Sequence, residues 1–157
     1  MSLEKVKEYF KGTGIDNRII ELDQSSATVA LAAKALKCSD DKIAKSLSFI
    51  LKGQPAIIVV SGLSKIDNAK YRAAFGEKAK MIPFDDVEKL TGHAPGGVCP
   101  FALKEGVKVY LDESLKNHEQ VYPAAGSGNS AVLMTIPELE KYSTSSGWVN
   151  VTKKIEL

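Results

Sequence analysis

Lys45-Ser46-Leu47-Ser48-Phe49-Ile50-Leu51, followed by Lys52-Gly53-Gln54-Pro55 and Ala56-Ile57-Ile58-Val59-Val60, is the stretch on which the fold turns. Two apolar runs are parted by a short polar segment carrying glycine and proline, which reads as a β-hairpin. Residues 56–60 are apolar without interruption, so this strand has no face to give to water and belongs at the middle of a sheet. Outward from the hairpin, helical and strand patterns mix without strict alternation. That mixture predicts an α+β fold: one compact domain over residues 1–157, with a mixed β-sheet flanked by helices.

Upstream, Leu3, Val6 and Phe10 recur at helical spacing before Gly12 and Gly14. Arg18–Leu22 reads as a strand. Ser25 or Ser26 is placed to cap a second helix, whose apolar stripe is Val29, Ala32, Ala33 and Leu36. Downstream, Asp67 caps a helix through Tyr71 and Phe75 that Gly76 stops. Met81-Ile82 is a short strand, and Asp85 caps a helix ending at Gly92. Strands follow at Val107–Leu111, Glu119–Tyr122 and Ala131–Met134, with Asp112 capping one helical turn between the first two. Thr135-Ile136-Pro137-Glu138 is a capping box with proline in the first turn.

A chain of 157 residues, 44% apolar and 25% charged, describes an ordinary globular protein that needs no disulfides to hold it. No apolar run approaches the roughly 20 residues of a membrane helix, and the charged N-terminus lacks a signal core; a cytoplasmic protein without membrane partners is expected. Cys38 and Cys99 show no C-x-x-C or Cys/His spacing, and His93 and His118 complete no motif, so neither a metal nor another cofactor is expected. The net charge of +2 is too small to argue for nucleic acid. Its distribution says more, because residues 34–80 hold ten Lys and Arg against four Asp and Glu. That imbalance suits either a solvated lysine-rich surface or a face that meets a polyanion.

Lys45 is the least comfortable residue. In a strand it shares a face with Leu47, Phe49 and Leu51. If that face is apolar, the ammonium either snorkels out at the strand end or meets an anion. Gly96-Gly97-Val98-Cys99-Pro100-Phe101 is either a tight turn or a loop whose backbone N–H groups surround a small concavity. Within it, Cys99 is a pocket-lining residue or, given a base, a nucleophile. Gly126-Ser127-Gly128-Asn129 lacks the lysine of a phosphate loop and reads as a turn or a second pocket wall.

Together, Thr28-Val29-Ala30-Leu31-Ala32-Ala33, Ile43-Ala44-Lys45-Ser46-Leu47, Gly96–Phe101 and Ala125–Asn129 resemble the YbaK-like family of aminoacyl-tRNA editing domains, related to the insertion domain of prolyl-tRNA synthetase. The resemblance covers nearly the whole chain. It implies a barrel-like mixed sheet and metal-free hydrolysis of the ester joining a wrong amino acid to the 3′ end of a tRNA, here a mischarged proline tRNA. Lys45 matches the family's hallmark functional lysine. Thr28, Ser46, the loop Gly96-Gly97-Val98-Cys99-Pro100 and the loop Gly126-Ser127-Gly128-Asn129 match its substrate-binding segments. Gly97 and Val98 would offer N–H groups to the ester carbonyl. Aminoacylated tRNA, and an aminoacyl-tRNA synthetase beside it, are the implied partners. Alanine-directed members tend to carry Asn after the lysine, where this chain has Ser46. The rival expectations are a non-catalytic tRNA- or synthetase-binding module of the same fold, and a hydrolase dependent on Cys99.

Overall fold

Lys52 and Gly53 both take positive φ, 51° and 80°, the geometry of a two-residue turn whose twist matches that of the strands it joins. This turn sets the register of Ile43–Leu51 (β2) against Gln54–Ser61 (β3), antiparallel from Leu51 opposite Gln54 to Ala44 opposite Ser61. The computed structural model describes residues 2–155.

The hairpin is the centre of a six-stranded sheet. Beside β3 runs Lys108–Asp112 (β5) in parallel, and beyond it Trp148–Val149 (β9), also parallel. Beside β2 runs Gln120–Pro123 (β6), in parallel for only two residues, and then Met134–Thr135 (β8) antiparallel to β6. The sheet is therefore mixed, and it curls into a half-barrel. Ile19–Glu21 (β1) pairs with Ser130–Val132 (β7), and Ser64–Ile66 (β4) with Thr152–Lys154 (β10).

Both faces of the sheet are covered, as the apolar β3 requires. On one face Ala44, Ile57, Val59, Val109 and Leu111 pack beneath Leu3, Val6 and Phe10 of helix Ser2–Phe10 (α1). On the other, Phe49, Leu51, Ile58 and Val60 meet Tyr71 and Phe75 of helix Asn68–Phe75 (α3). Helix Val29–Leu36 (α2) closes one end, Ala32 and Ala33 lying on Ile43 and Tyr122. No helix among the described residues is long and apolar enough to cross a membrane.

Local signals held where the partner was near in sequence. Asp67 accepts from the N–H groups of Ala69 and Lys70, and Gly76 ends α3 at φ 78°. Thr135 and Glu138 form the reciprocal capping box of Ile136–Tyr142 (α5), and Asp112 accepts from Ser114 N. Three expectations are corrected. Thr28, not Ser25 or Ser26, caps α2 by accepting from Leu31 N at 3.2 Å, because the serines are held by a distant loop, with Ser26 N donating to Gly128 O at 2.7 Å. Asp85 caps nothing: Phe84–Asp86 is a 3-10 turn running into Val87–Thr91 (α4). Met81-Ile82 makes one bridge, Met81 opposite Phe49, instead of a strand.

Asp112 ties the far edge together. Fully buried, its carboxylate accepts from Val151 N at 2.9 Å, Thr152 Oγ1 at 2.7 Å and Ser114 N at 3.0 Å. Removing it strands buried donors without partners. Asp112→Ala is expected to cost about 2–4 kcal/mol of stability, read as a lower urea midpoint at an unchanged slope, with Asp112→Asn losing less because one acceptor oxygen remains.

Candidate active site

The site begins as a gap in a ladder. β2 is paired with β3 from Ala44 to Leu51, but among the described residues its other edge is paired only toward its two ends. β6 leaves after Ala44 opposite Pro123. The segment 80–82 joins later, through Ile50 N to Lys80 O at 2.8 Å and Ile82 N to Ser48 O at 3.1 Å. Among the described residues no strand or bridge meets this edge between Ala44 and Ser48. Since N–H and C=O directions alternate along a strand, Ser46 turns both toward the same side as Ser48 O and Ile50 N. The gap opens into a cavity of about 470 Å³.

Of the residues singled out from sequence, Lys45, Ser46, Thr28, Gly96 and Val98 line this cavity. The remaining ones lie behind its wall. Gly97 supports the loop by close approach: a Cβ there would sit 2.8 Å from Ser127 Cα and 3.0 Å from Gly126 C. The two small-residue loops thus stack backbone on backbone, which only glycine at position 97 permits. Gly97 N donates to Ala94 O at 2.9 Å, so it closes the turn and is not turned to a ligand. Gly128 and Asn129 hold the segment before α2, through Ser26 N to Gly128 O and Leu22 N to Asn129 O, both 2.7 Å. Ser127 Oγ donates to Ser130 Oγ at 2.7 Å, and Ser130 and Ala131 reach the wall instead.

Lys45 is half-buried. Its Nζ lies 3.5 Å from Gly62 O, and no salt bridge involves it among the described residues. Burial lowers its pKa, and no carboxylate among the described residues opposes the effect. Gly62 holds the carbonyl in place, since a Cβ there would lie 1.9 Å from Asp40 O. Opposite in the register stands Val60, followed by Leu47 beside Ile58. Lys45 is therefore a cation at the end of an apolar face, beside a cavity and with one weak acceptor. Such a group is poised to take an anion or a strongly polar oxygen.

Cys99 and Pro100 are absent from the wall. Cys99 faces the core, fully buried, its Sγ 3.5 Å from His93 Nε2 and 3.6 Å from Phe101 O. Burial pushes its thiol up to about 12. His93 Nε2 lies 2.7 Å from Phe101 O, which assigns the proton to Nε2 and leaves that nitrogen no lone pair for the thiol. Burial also lowers the His93 pKa. This pair is a neutral core contact without access to substrate. His118 instead holds Asp41 at 2.7 Å; burial alone would raise the Asp41 pKa, but hydrogen bonds from His118 and Ser61 bring it below the usual range. Among the described residues no group of three or more His, Cys, Asp or Glu could hold a metal ion.

Sequence reasoning missed the outer rim: Met81, Phe84 and Val87 line the cavity, and Met81 and Phe84 are 55% and 75% exposed. The signal available was Met81, Ile82 and Phe84, broken by Pro83, between the charged residues Lys78 and Lys80 on one side and Asp85 and Asp86 on the other.

The family model described as aminoacyl-tRNA editing domain matches residues 23–142. The uncharacterized protein YwhH of Bacillus subtilis is 46% identical over 157 residues, which cover 99% of this chain and 100% of that protein. A proline–tRNA ligase of Limosilactobacillus fermentum is 28% identical over 125 residues, 73% of this chain but 22% of the ligase. A crystal structure described as that of a candidate trans-editing enzyme for prolyl-tRNA synthetase superposes with a TM-score of 0.86 at 27% identity, covering 97% of each chain.

The burial of Cys99 has a direct readout. In the native protein a charged thiol reagent is expected to label Cys38, which is part-exposed, while Cys99 reacts only after unfolding. Peptide mapping of the labelled chain distinguishes the two; equal labelling of both cysteines under native conditions would place Cys99 at the surface.

Proposed function

The chain belongs to the aminoacyl-tRNA editing domain family, and from that premise we propose that it is a trans-acting deacylase, hydrolysing the ester between a wrong amino acid and the 3′-terminal ribose of a tRNA, with a mischarged proline tRNA as substrate. The observation that carries the reading is Lys45: a half-buried ammonium beside a cavity, with no counter-ion among the described residues. A substrate bringing a phosphate, or an ester oxygen that gains charge as water attacks, supplies what Lys45 lacks.

In this reading Lys45 holds the 3′ end, and the aminoacyl group enters between Thr28, Ser46 and the Gly96–Pro100 loop. The loop contributes shape through Gly96 and Val98. We assign the donors for the developing oxyanion to the backbone N–H groups of Val98, in the cavity wall, and of Ser46, on the open edge of β2. Gly97 is excluded from that role by its bond to Ala94 O. The reaction has no protein nucleophile. Water attacks the carbonyl carbon, the C–O bond to the ribose breaks, and the ribose oxygen leaves with a proton. A neighbouring ribose hydroxyl positions the water. The relationship to proline–tRNA ligase supports the choice of tRNA, and in this reading the enzyme acts in the cytoplasm alongside translation.

Lys45→Ala is expected to slow hydrolysis of a mischarged proline tRNA about 100-fold or more, the scale of losing one preorganised electrostatic contact, while Cys99→Ala stays within about threefold of wild type. Single-turnover deacylation across a panel of mischarged tRNAs checks both. No hydrolysis of any member by the wild-type chain would retire the enzyme reading in favour of a binding module.

Lys45→Met has a second, opposite effect. Removing an unpaired, half-buried cation relieves a desolvation cost, so the variant is expected to melt no lower than wild type. The sign of the pH dependence follows. The folded-state pKa is depressed, so the wild-type penalty is fully present below it and relieved as pH rises toward 10.5. The gap between the two melting temperatures should narrow over that window.

A further inference from the structure

Two surface features remain outside the chemistry of the pocket. One is its rim, where Met81 and Phe84 are the most exposed large apolar side chains of the described residues. The other is a groove of about 730 Å³ on α3, lined by Asn68, Arg72, Lys78 and Ala79. They are joined by a single stretch of backbone. Lys78 and Ala79 belong to the groove, Met81 and Phe84 to the pocket, and between them Lys80 and Ile82 are bonded to β2. The connection is therefore anchored to the sheet, and Phe84 stands two residues beyond the anchor, after Pro83 with φ −56°.

A phenyl ring 75% exposed at a pocket mouth makes no packing contribution commensurate with its size. The charge around it is one-sided. Lys78 and Lys80 precede it with Arg72 nearby in the groove, all exposed, whereas Asp85, Asp86 and Glu88 follow it. An aromatic face beside a cationic track is the combination that holds single-stranded nucleic acid, the ring stacking a base and the cations following the backbone. The acidic run on the other side repels phosphate and so sets the direction.

We propose that Phe84, with Met81, is the stacking platform for the nucleobase next to the scissile ester, and that the strand then leaves the pocket across Lys80 and Lys78 toward Arg72. This rests on the deacylase reading for the identity of the strand and goes beyond it in assigning the path. Phe84 touches the base and not the reacting atoms. Its contribution lies in affinity for the nucleotide and not in the chemical step.

The test uses the whole chain and an RNA hairpin ending in the unpaired 3′ nucleotides of tRNA, uncharged for binding and mischarged for turnover. Phe84→Ala is expected to weaken binding of the uncharged hairpin about 10-fold or more, within the range seen for loss of one base stack. KM should rise correspondingly with kcat within about twofold, and Phe84→Trp should restore both. Lys78→Ala combined with Arg72→Ala should weaken binding and flatten its dependence on salt between about 50 and 200 mM. If the wild-type chain binds the hairpin through Phe84 but cleaves nothing, the deacylase reading fails and the surface stands. If it cleaves mischarged hairpin and Phe84→Ala has unchanged KM and affinity, the platform is overturned. It is overturned equally if the wild-type chain does not bind the hairpin at all.

Discussion

A strand that is satisfied on one edge and interrupted on the other governs this molecule. β2 is paired with β3 from Ala44 to Leu51, and among the described residues its second edge is left unpaired between Ala44 and Ser48. An unpaired edge in a sheet is ordinarily a liability, open to another strand. Here β6 and the segment 80–82 approach it from the two ends and diverge, so the opening is too short for a strand and deep enough for a small ligand. The curl of the half-barrel keeps these neighbours apart. The position of the opening thus follows from sheet geometry before any side chain is considered.

The glycine loops serve that opening in two different ways. Gly97 lets the 96–100 loop lie directly on the backbone of Gly126 and Ser127, and the second loop in turn holds the approach to α2 through Ser26 and Leu22. One loop faces the cavity, and the other fixes the first and the helix cap at Thr28. This stacking also sends Cys99 inward. With Gly96 and Val98 turned to the cavity, the alternate side chain meets His93 and Phe101 in the core, where burial keeps the thiol protonated. A cysteine beside a histidine is here a packing contact, because neither group is charged and neither reaches solvent.

What the sequence disclosed tracks the range of the interactions involved. The hairpin, the caps at Asp67 and Thr135 and the stop at Gly76 depend on residues within a few positions, and all are present. So does the awkwardness of Lys45, which needs only the period of a strand to be seen. The cap of α2 was misassigned because Ser26 is held by Gly128, about a hundred residues away, leaving Thr28 to cap. Division of the two loops into wall and support rests on a contact between backbones that carries no side-chain signature. The rim at Met81 and Phe84 was illegible for the opposite reason: apolar residues in an irregular segment carry no period, and only the bridge from Met81 to Phe49 fixes where they lie.

Lys45 remains the place where the sequence breaks its own rules, and the break has a consistent physical form. An ammonium on an apolar strand face costs desolvation energy that a carboxylate at salt-bridge distance could offset. Among the described residues none is there, though Asp40 and Asp41 lie within five positions in the chain. Asp41 is engaged by His118, and Asp40 is turned so that its backbone carbonyl packs on Gly62. Neither acid makes a salt bridge with the lysine, whose Nζ lies 3.5 Å from Gly62 O. A paired Lys45 would be more comfortable and would have little attraction left for a ligand. The fold instead holds a cation beside a cavity with its strongest interaction unmade, which is the state in which an incoming anion gains most from binding.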